Sequence, residues 1–339
     1  PQRYVSALEA LDGSGKWCGA PAALFINGPD ARRGGIVLSA PINDAAFFQN
    51  ETIKDWLSSA ALRMLDGLFL FEGGAKDYAA FGGETMPVGA TIMNAGATAR
   101  SAQVLIDIAD RDGAVVYHDQ WDVSLQPRET KTVQSQWSVG AMGDAFKVKV
   151  TLKGEDRSLD QLEHDVRLWR PSEEQQFVVA RDGDFFLDGR KWYPFGVNYM
   201  PSSGIAREDN RLFEQWLSSP AYDPAIIERD LDDVVALGFN MISVFINHEN
   251  NDSRNLVDLL MRCRDKGLRV NLSLRPGTPI DFRWEEMREI IESNRLAENE
   301  TVFAYDLAWE PKWEGHGKRR RHDAEWRRWI VARYGSLEA

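Results

Sequence analysis

The chain has 339 residues, 43% hydrophobic, 27% charged and 11% aromatic, which excludes a disordered tail, a collagen-like fibre and a disulfide miniprotein. Its longest apolar runs, such as residues 67–71 and 241–246, fall far short of the roughly 18–20 residues that cross a bilayer, so no membrane partner is expected. Forty Lys and Arg against 52 Asp and Glu leave a net charge of −12, which repels phosphate backbones and speaks against nucleic acid.

Residues 1–68 read as an α/β segment. Short apolar runs at 22–26 and 35–38 precede one amphipathic helix, in which Ile53, Trp56, Leu57, Ala60, Ala61, Met64 and Leu65 recur at three- and four-residue spacing. Asn50 is the expected N-cap and Gly67 the stop. The apolar stripe of this helix calls for a packing partner larger than what precedes it. Residues 34–39 followed by the helix at 50–65 resemble the last strand and helix of a class I glutamine-amidotransferase-like domain. That family's catalytic cysteine–histidine pair has no counterpart in the matched residues, so no site is implied; the other reading is a small α/β cap on the next domain. Cys18 and Cys263 fall in different domains of this reading, so no disulfide framework is expected.

From 69 to 171 the period changes to two. Runs at 90–94, 102–108, 115–117, 121–125, 130–133 and 146–150 alternate apolar with polar residues, separated by Asn-Ala-Gly, Arg-Asp-Gly, Gln-Pro-Arg and Met-Gly-Asp turn signals. This is the pattern of an antiparallel β-sandwich, immunoglobulin-like in strand count, with a bracing role.

From 177 onward the pattern changes again. A hairpin at 177–192 carries turns at Asp182-Gly183 and Asp188-Gly189. The run at 193–199 leads in as the first strand, and strands at 241–246, 269–274 and 302–308 then alternate with helices at 224–237, 253–266, 283–293 and 323–334. Four strand–helix units in this order imply a parallel sheet with right-handed crossovers, either closing into a barrel or staying doubly wound.

In either architecture the reactive groups belong at the carboxyl ends of the strands. Those ends are Asn198-Tyr199-Met200-Pro201, Asn247-His248-Glu249-Asn250, Arg275-Pro276-Gly277-Thr278 and Trp309-Glu310-Pro311-Lys312-Trp313. Groups that grip hydroxyls alternate there with aromatics that stack on a sugar face, the composition of a carbohydrate cleft. Without further context Glu310 is also a strand-end partner for Lys312 or the basic run at 318–321, His248 a solvated loop residue, and Arg275 half of a scaffold ion pair.

Phe185-Phe186-Leu187-Asp188-Gly189, Phe195-Gly196-Val197-Asn198-Tyr199, Tyr222-Asp223-Pro224, Leu237-Gly238-Phe239-Asn240 and above all Tyr305-Asp306-Leu307-Ala308-Trp309-Glu310-Pro311 resemble the first half of a clan A glycoside hydrolase, of the family 5 or family 42 kind. The resemblance covers residues 177–339 and implies a (β/α)8 TIM barrel of which the first four βα units are present. It implies a retaining enzyme on β-linked glycosides or polysaccharides, with Glu310 as general acid/base, raised in pKa by Trp309 and Trp313. Asn198 and Tyr199 would line the floor of the sugar site; Asn247, His248 and Arg275 would reach ring hydroxyls or ordering partners. No metal or organic cofactor is implied, and members of the family are usually secreted.

Two departures stand out: Trp309 occupies the place of the usual Asn before the acid, and Phe245 the place of an arginine near the end of strand two. They keep open a non-catalytic carbohydrate-binding or scaffolding protein on a degenerate barrel. A barrel takes about 250 residues, so a longer frame or another chain is expected to supply strands five to eight and the nucleophile. The opening Pro1, without an initiator Met, agrees with a processed or excised chain.

Overall fold

The computed structural model describes residues 2–28, 35–141, 143–155, 157–201, 216–219, 221–246, 254–274, 282–307 and 315–337. The chain divides into two compact units, Pro1–Trp169 and Arg170–Ala339. Among the described residues no helix is long and apolar enough to cross a membrane.

The first unit opens with three antiparallel strands, β1 (Gln2–Leu11), β2 (Trp17–Asn27) and β3 (Ile36–Ser39), paired in that order. Asp12 builds the turn between β1 and β2, its carboxylate accepting from the Ser14 amide at 2.8 Å and the Lys16 amide at 2.9 Å. This antiparallel sheet differs from the two short runs expected. In β1 the register shifts three times between Ser6 and Leu11, and each shift breaks the strict alternation that marks a strand in sequence.

Helix α1 (Glu51–Asp66) follows, with the expected ends: Asn50 accepts from the Thr52 amide at 2.9 Å, and Gly67 takes a left-handed φ of 79°. Its stripe is not buried as expected, for no residue of α1 is buried and Leu65 is 79% exposed. The sheet packs instead through Ile26, with Val5, Leu24 and Ile36 around it, against Phe69, Phe71 and Met93 of the strands that follow.

Those strands are β4 (Leu68–Ala75), β5 (Ala79–Ala80), β6 (Thr85–Asn94), β7 (Arg100–Ala109), β8 (Val115–Leu125), β9 (Thr130–Ser138), β10 (Ala145–Lys153) and β11 (Ser158–Leu168). They form two sheets, β4-β6-β9 and β5-β11-β10-β7-β8. One core lies between them, built from Leu70, Val88 and Ile92 of the first and Ile106, Val148, Val150 and Val166 of the second. This is the β-sandwich read from the period-two runs, with two kinds of change. The runs at 115–117 and 121–125 are one continuous strand, and β4, β5 and β11 add to the expected runs, β11 being hard to read because polar groups interrupt its alternation. One of these is His164, whose Nε2 accepts from the Ala75 amide at 3.0 Å. A side chain at Gly74 would put its Cβ 2.2 Å from that nitrogen, so only glycine fits there.

The second unit begins with a meander, β12 (Val179–Arg181), β13 (Asp184–Leu187) and β14 (Arg190–Trp192). Both turns have positive φ at both central residues, 53° and 85° at Asp182-Gly183 and 49° and 69° at Asp188-Gly189. That is the hairpin geometry the Asp-Gly pairs predict. Then come β15 (Gly196–Asn198), α2 (Pro224–Ala236), β16 (Met241–Phe245), α3 (Asn255–Asp265), β17 (Arg269–Ser273), α4 (Trp284–Ser293), β18 (Val302–Asp306), α5 (His316–Arg319) and α6 (Asp323–Tyr334). Asp223 caps α2, accepting from the amides of Ala225 and Ile226, with Pro224 in the first turn.

The four strands pair in parallel in the order β15-β16-β17-β18. A doubly wound sheet reverses strand order at a switch point; these four strands do not. Closure into a barrel is not seen, for the described sheet has four strands. On one face Ile242, Val244, Val270 and Leu272 are fully buried, and α3 packs on β17 and α2. Between those two helices Tyr222 donates to the buried Asp258 at 2.6 Å, Asp258 binds Arg262 at 2.7 Å, and Arg262 reaches Glu228 at 2.8 Å. Toward the amino end of the sheet, Phe185, Trp192 and Phe303 meet edge to face with centroids 5.0–6.4 Å apart, joining the meander to β18.

Candidate active site at the carboxyl edge of the parallel sheet

Four parallel strands end on one edge, at Asn198, Phe245, Ser273 and Asp306. In-register neighbours on parallel strands project to the same face, and residues two apart share it. Asn198, Ser243, Asn271 and Ala304 are in register across the sheet, and Phe245, Ser273 and Asp306 are in register one layer nearer the carboxyl ends. The Asn271 amide nitrogen donates to Ser243 Oγ at 2.9 Å, which confirms the shared face. The fully buried apolar residues of the same strands alternate with these, so the two layers lie on the face away from the helices.

Asn198 is exposed in the lower of these layers. Tyr199 is placed differently from its expected position on the floor of the cleft. It is buried, its hydroxyl donates to Asp230 Oδ2 of α2 at 3.2 Å, and its ring meets Trp216 edge to face at 5.6 Å. Burial and the adjacent Asp230 carboxylate push its phenol pKa up. The step from Asn198 to Tyr199 turns the side chain to the helix side of the sheet. Cys263 of α3 is buried on the helix side as well, its thiol pKa raised first by burial and then by Glu228 and Asp258, the setting of an unreactive thiol.

Asn247, His248, Arg275, Trp309, Glu310 and Trp313 lie outside the described residues. In sequence Asn247 and His248 follow the end of β16 by two and three positions, Arg275 the end of β17 by two, and Glu310 the end of β18 by four. Ser243, Asn271, Ser273 and Asp306 are the polar residues of the site that the sequence reading passed over. Their signal was present, since each holds one phase of an otherwise apolar strand, but which phase faces a cleft depends on the helices. Among the described residues no group of three or more His, Cys, Asp or Glu side chains could hold a metal ion.

No family model matches the chain, and no curated protein does. Among solved structures it is similar to a β-glucuronidase of Bacteroides uniformis, at 19% identity over 78% of this chain and 31% of that one, with a TM-score of 0.32. A calcium-binding mutant of Bacteroides uniformis β-glucuronidase 2 matches at 17% identity over 81% of this chain and 33% of that one, TM-score 0.33. A family 2 glycosyl hydrolase of Bacteroides cellulosilyticus matches at 17% over 69% and 30%, TM-score 0.30. The chain thus spans about a third of the length of these solved chains. They are named as β-glucuronidases and a family 2 member, and not as members of families 5 or 42, to which the sequence resemblance points.

Proposed function

We propose that this chain forms part of a retaining glycoside hydrolase acting on β-linked glycosides or polysaccharides, with Glu310 as general acid/base. The observation that carries the reading is the parallel sheet in sequential order, whose carboxyl edge bears a polar face, with Glu310 four residues beyond the last strand. In the (β/α)8 reading, β15 to β18 are the first four strands of the barrel and Glu310 belongs to the end of the fourth. Its carboxyl would protonate the glycosidic oxygen as the bond breaks and later take a proton from the attacking water. Trp309 and Trp313 would supply the apolar setting that keeps a carboxyl protonated until substrate arrives. Asn247, His248 and Arg275 would bind ring hydroxyls from the neighbouring strand ends. The second carboxyl, about 5–5.5 Å away in a retaining enzyme, would come from a segment beyond this chain.

In the full-length protein, Glu310→Gln should lower turnover of aryl β-glycosides with poor leaving groups by about 100-fold or more. Azide should restore part of the rate on activated aryl glycosides, because a small anion replaces the activated water. Equal rates in the parent and the variant would remove Glu310 from the mechanism. Sugar binding without any turnover by the parent would establish the binding-protein alternative raised by Trp309.

A further inference from the structure

Helices α2 and α3 both bury apolar residues, Ile227, Leu231 and Val234 of the one and Leu256, Leu259, Leu260 and Met261 of the other. In its first turns α3 also buries two polar side chains completely, Asn255 and Asp258. Their spacing of three puts them on one face of the helix. Asn255 Nδ2 donates to the Leu217 carbonyl at 2.9 Å, and Asp258 Oδ2 accepts from the Tyr222 hydroxyl at 2.6 Å. Both partners belong to the connection between β15 and α2. Within it the amides of Ala221 and Tyr222 donate to the Ser218 carbonyl at 3.0 and 2.9 Å, which holds Leu217 and Tyr222 in one turn. Two directed hydrogen bonds thus tie the connection after β15 to the start of the helix that follows β16. Each helix starts where its strand has ended, so the tie belongs to the carboxyl edge of the sheet.

A buried carboxylate is a poor source of stability. Apolar side chains of similar volume serve as well or better, because the attraction between Asp258 and Arg262, 2.7 Å apart, is offset by the desolvation of both charges. What apolar packing lacks is direction: hydrogen bonds fix the distance and angle between their partners, whereas apolar surfaces slide. Burial pushes the Tyr222 phenol pKa up and the Asp258 carboxylate adds to it, so the hydroxyl keeps its proton and donates. Position is what a catalytic cleft needs, since a displacement of about 1 Å costs about 100-fold in rate. Asn198 ends β15, and in sequence Asn247 and His248 precede Asn255 by eight and seven residues. We infer that Asn255, Asp258 and Tyr222 are positioning residues of the site, holding the connections after β15 and β16 at one spacing across the carboxyl edge. The inference rests on the glycosidase reading above for what is positioned, and on the two buried hydrogen bonds for the tie itself.

In the full-length protein, Tyr222→Phe, Asp258→Leu and Arg262→Met together replace the network by apolar groups, while Glu228 keeps Lys266 at 2.7 Å. The unfolding midpoint should stay at or above that of the parent. Amide hydrogen exchange around Leu217, Tyr222 and Asn255 should quicken about tenfold relative to the amides of β17, the sign of local rather than global opening. KM for aryl β-glycosides should rise about tenfold, with a smaller loss in kcat. Tyr222→Phe alone, which keeps the Asp258–Arg262 pair, should shift exchange and KM in the same direction by about threefold. A triple variant that does not fold, or exchange raised equally in β17 by both variants, would make the network structural and overturn the inference. Parental exchange or a parental KM in the stable triple variant would overturn it as well. No turnover by the parent, or undiminished turnover by Glu310→Gln, would instead sink the glycosidase reading, and the exchange rates would still decide the tie.

Discussion

Tyr199 follows Asn198 by one residue, and in a strand one step reverses the face. Asn198 is exposed on the polar side, whereas the Tyr199 hydroxyl binds Asp230 of α2 among buried helix residues. Tyr199→Phe should therefore lower stability by about 1.5–3 kcal/mol, the range for a hydrogen bond to a charged group. Its affinity for sugar should stay unchanged, since the ring still packs on Trp216. Denaturant midpoints paired with a binding titration check this; weakened binding at parental stability would return Tyr199 to the cleft. The residue types at the strand ends suggest a polar cleft, but the face each one serves is not legible from them. That face is settled by a helix some 30 residues away, and no short window of sequence contains both partners.

Elements whose ends are set by neighbours in the chain were the most readable. Asn50 and Gly67 bound α1, Asp223 and Pro224 open α2, and two Asp-Gly pairs turn the meander, each through contacts within about four residues. The segment before the meander is held by contacts of another kind. The carboxylate of Glu300, just before β18, accepts from Ser172 Oγ and the Gln176 amide, and Arg269 of β17 donates to the Gln176 carbonyl at 3.2 Å. Burial alone would raise the pKa of Glu300. The hydrogen bonds from Gln176 and Ser172 and the charges of Arg269 and Arg264 outweigh it and hold the carboxyl below its ordinary value of 4.5. A depressed carboxyl stabilises the fold above its unfolded pKa, and that contribution is lost as pH falls through the lower folded value. Glu300→Gln should therefore melt below the parent at pH 7, and the gap should close as the pH is taken from 5 toward 3. Circular-dichroism melts across that range measure it, and a gap independent of pH would show that the charge of Glu300 is not what matters.

On the scale of the whole chain, a net charge of −12 coexists with a local run of Lys318, Arg319, Arg320 and Arg321. All four side chains are exposed, and at physiological ionic strength their field fades within about 8 Å. The acidic remainder should dominate at longer range, so the protein should bind an anion exchanger at pH 7 and pass through heparin or DNA resin in 0.1 M salt. Retention on the DNA resin would mean that the basic run acts as a phosphate-binding patch. By itself the sequence determined the class of each region: an acidic composition, a period-two sandwich, a strand–helix alternation, and helix caps and turns at the right residues. These follow from interactions between residues close in the chain. Only the tertiary structure decided that the first strands are antiparallel and pack against the sandwich's β4 and β6 in a cluster separate from its core, that the parallel strands run in sequential order, and that Asn198, Ser243, Asn271, Ser273 and Asp306 share one face while Tyr199 serves the other. Register and facing are set by pairing between parallel strands 28 or more residues apart, where the apolar face that finds a helix layer fixes the direction of every side chain on the other.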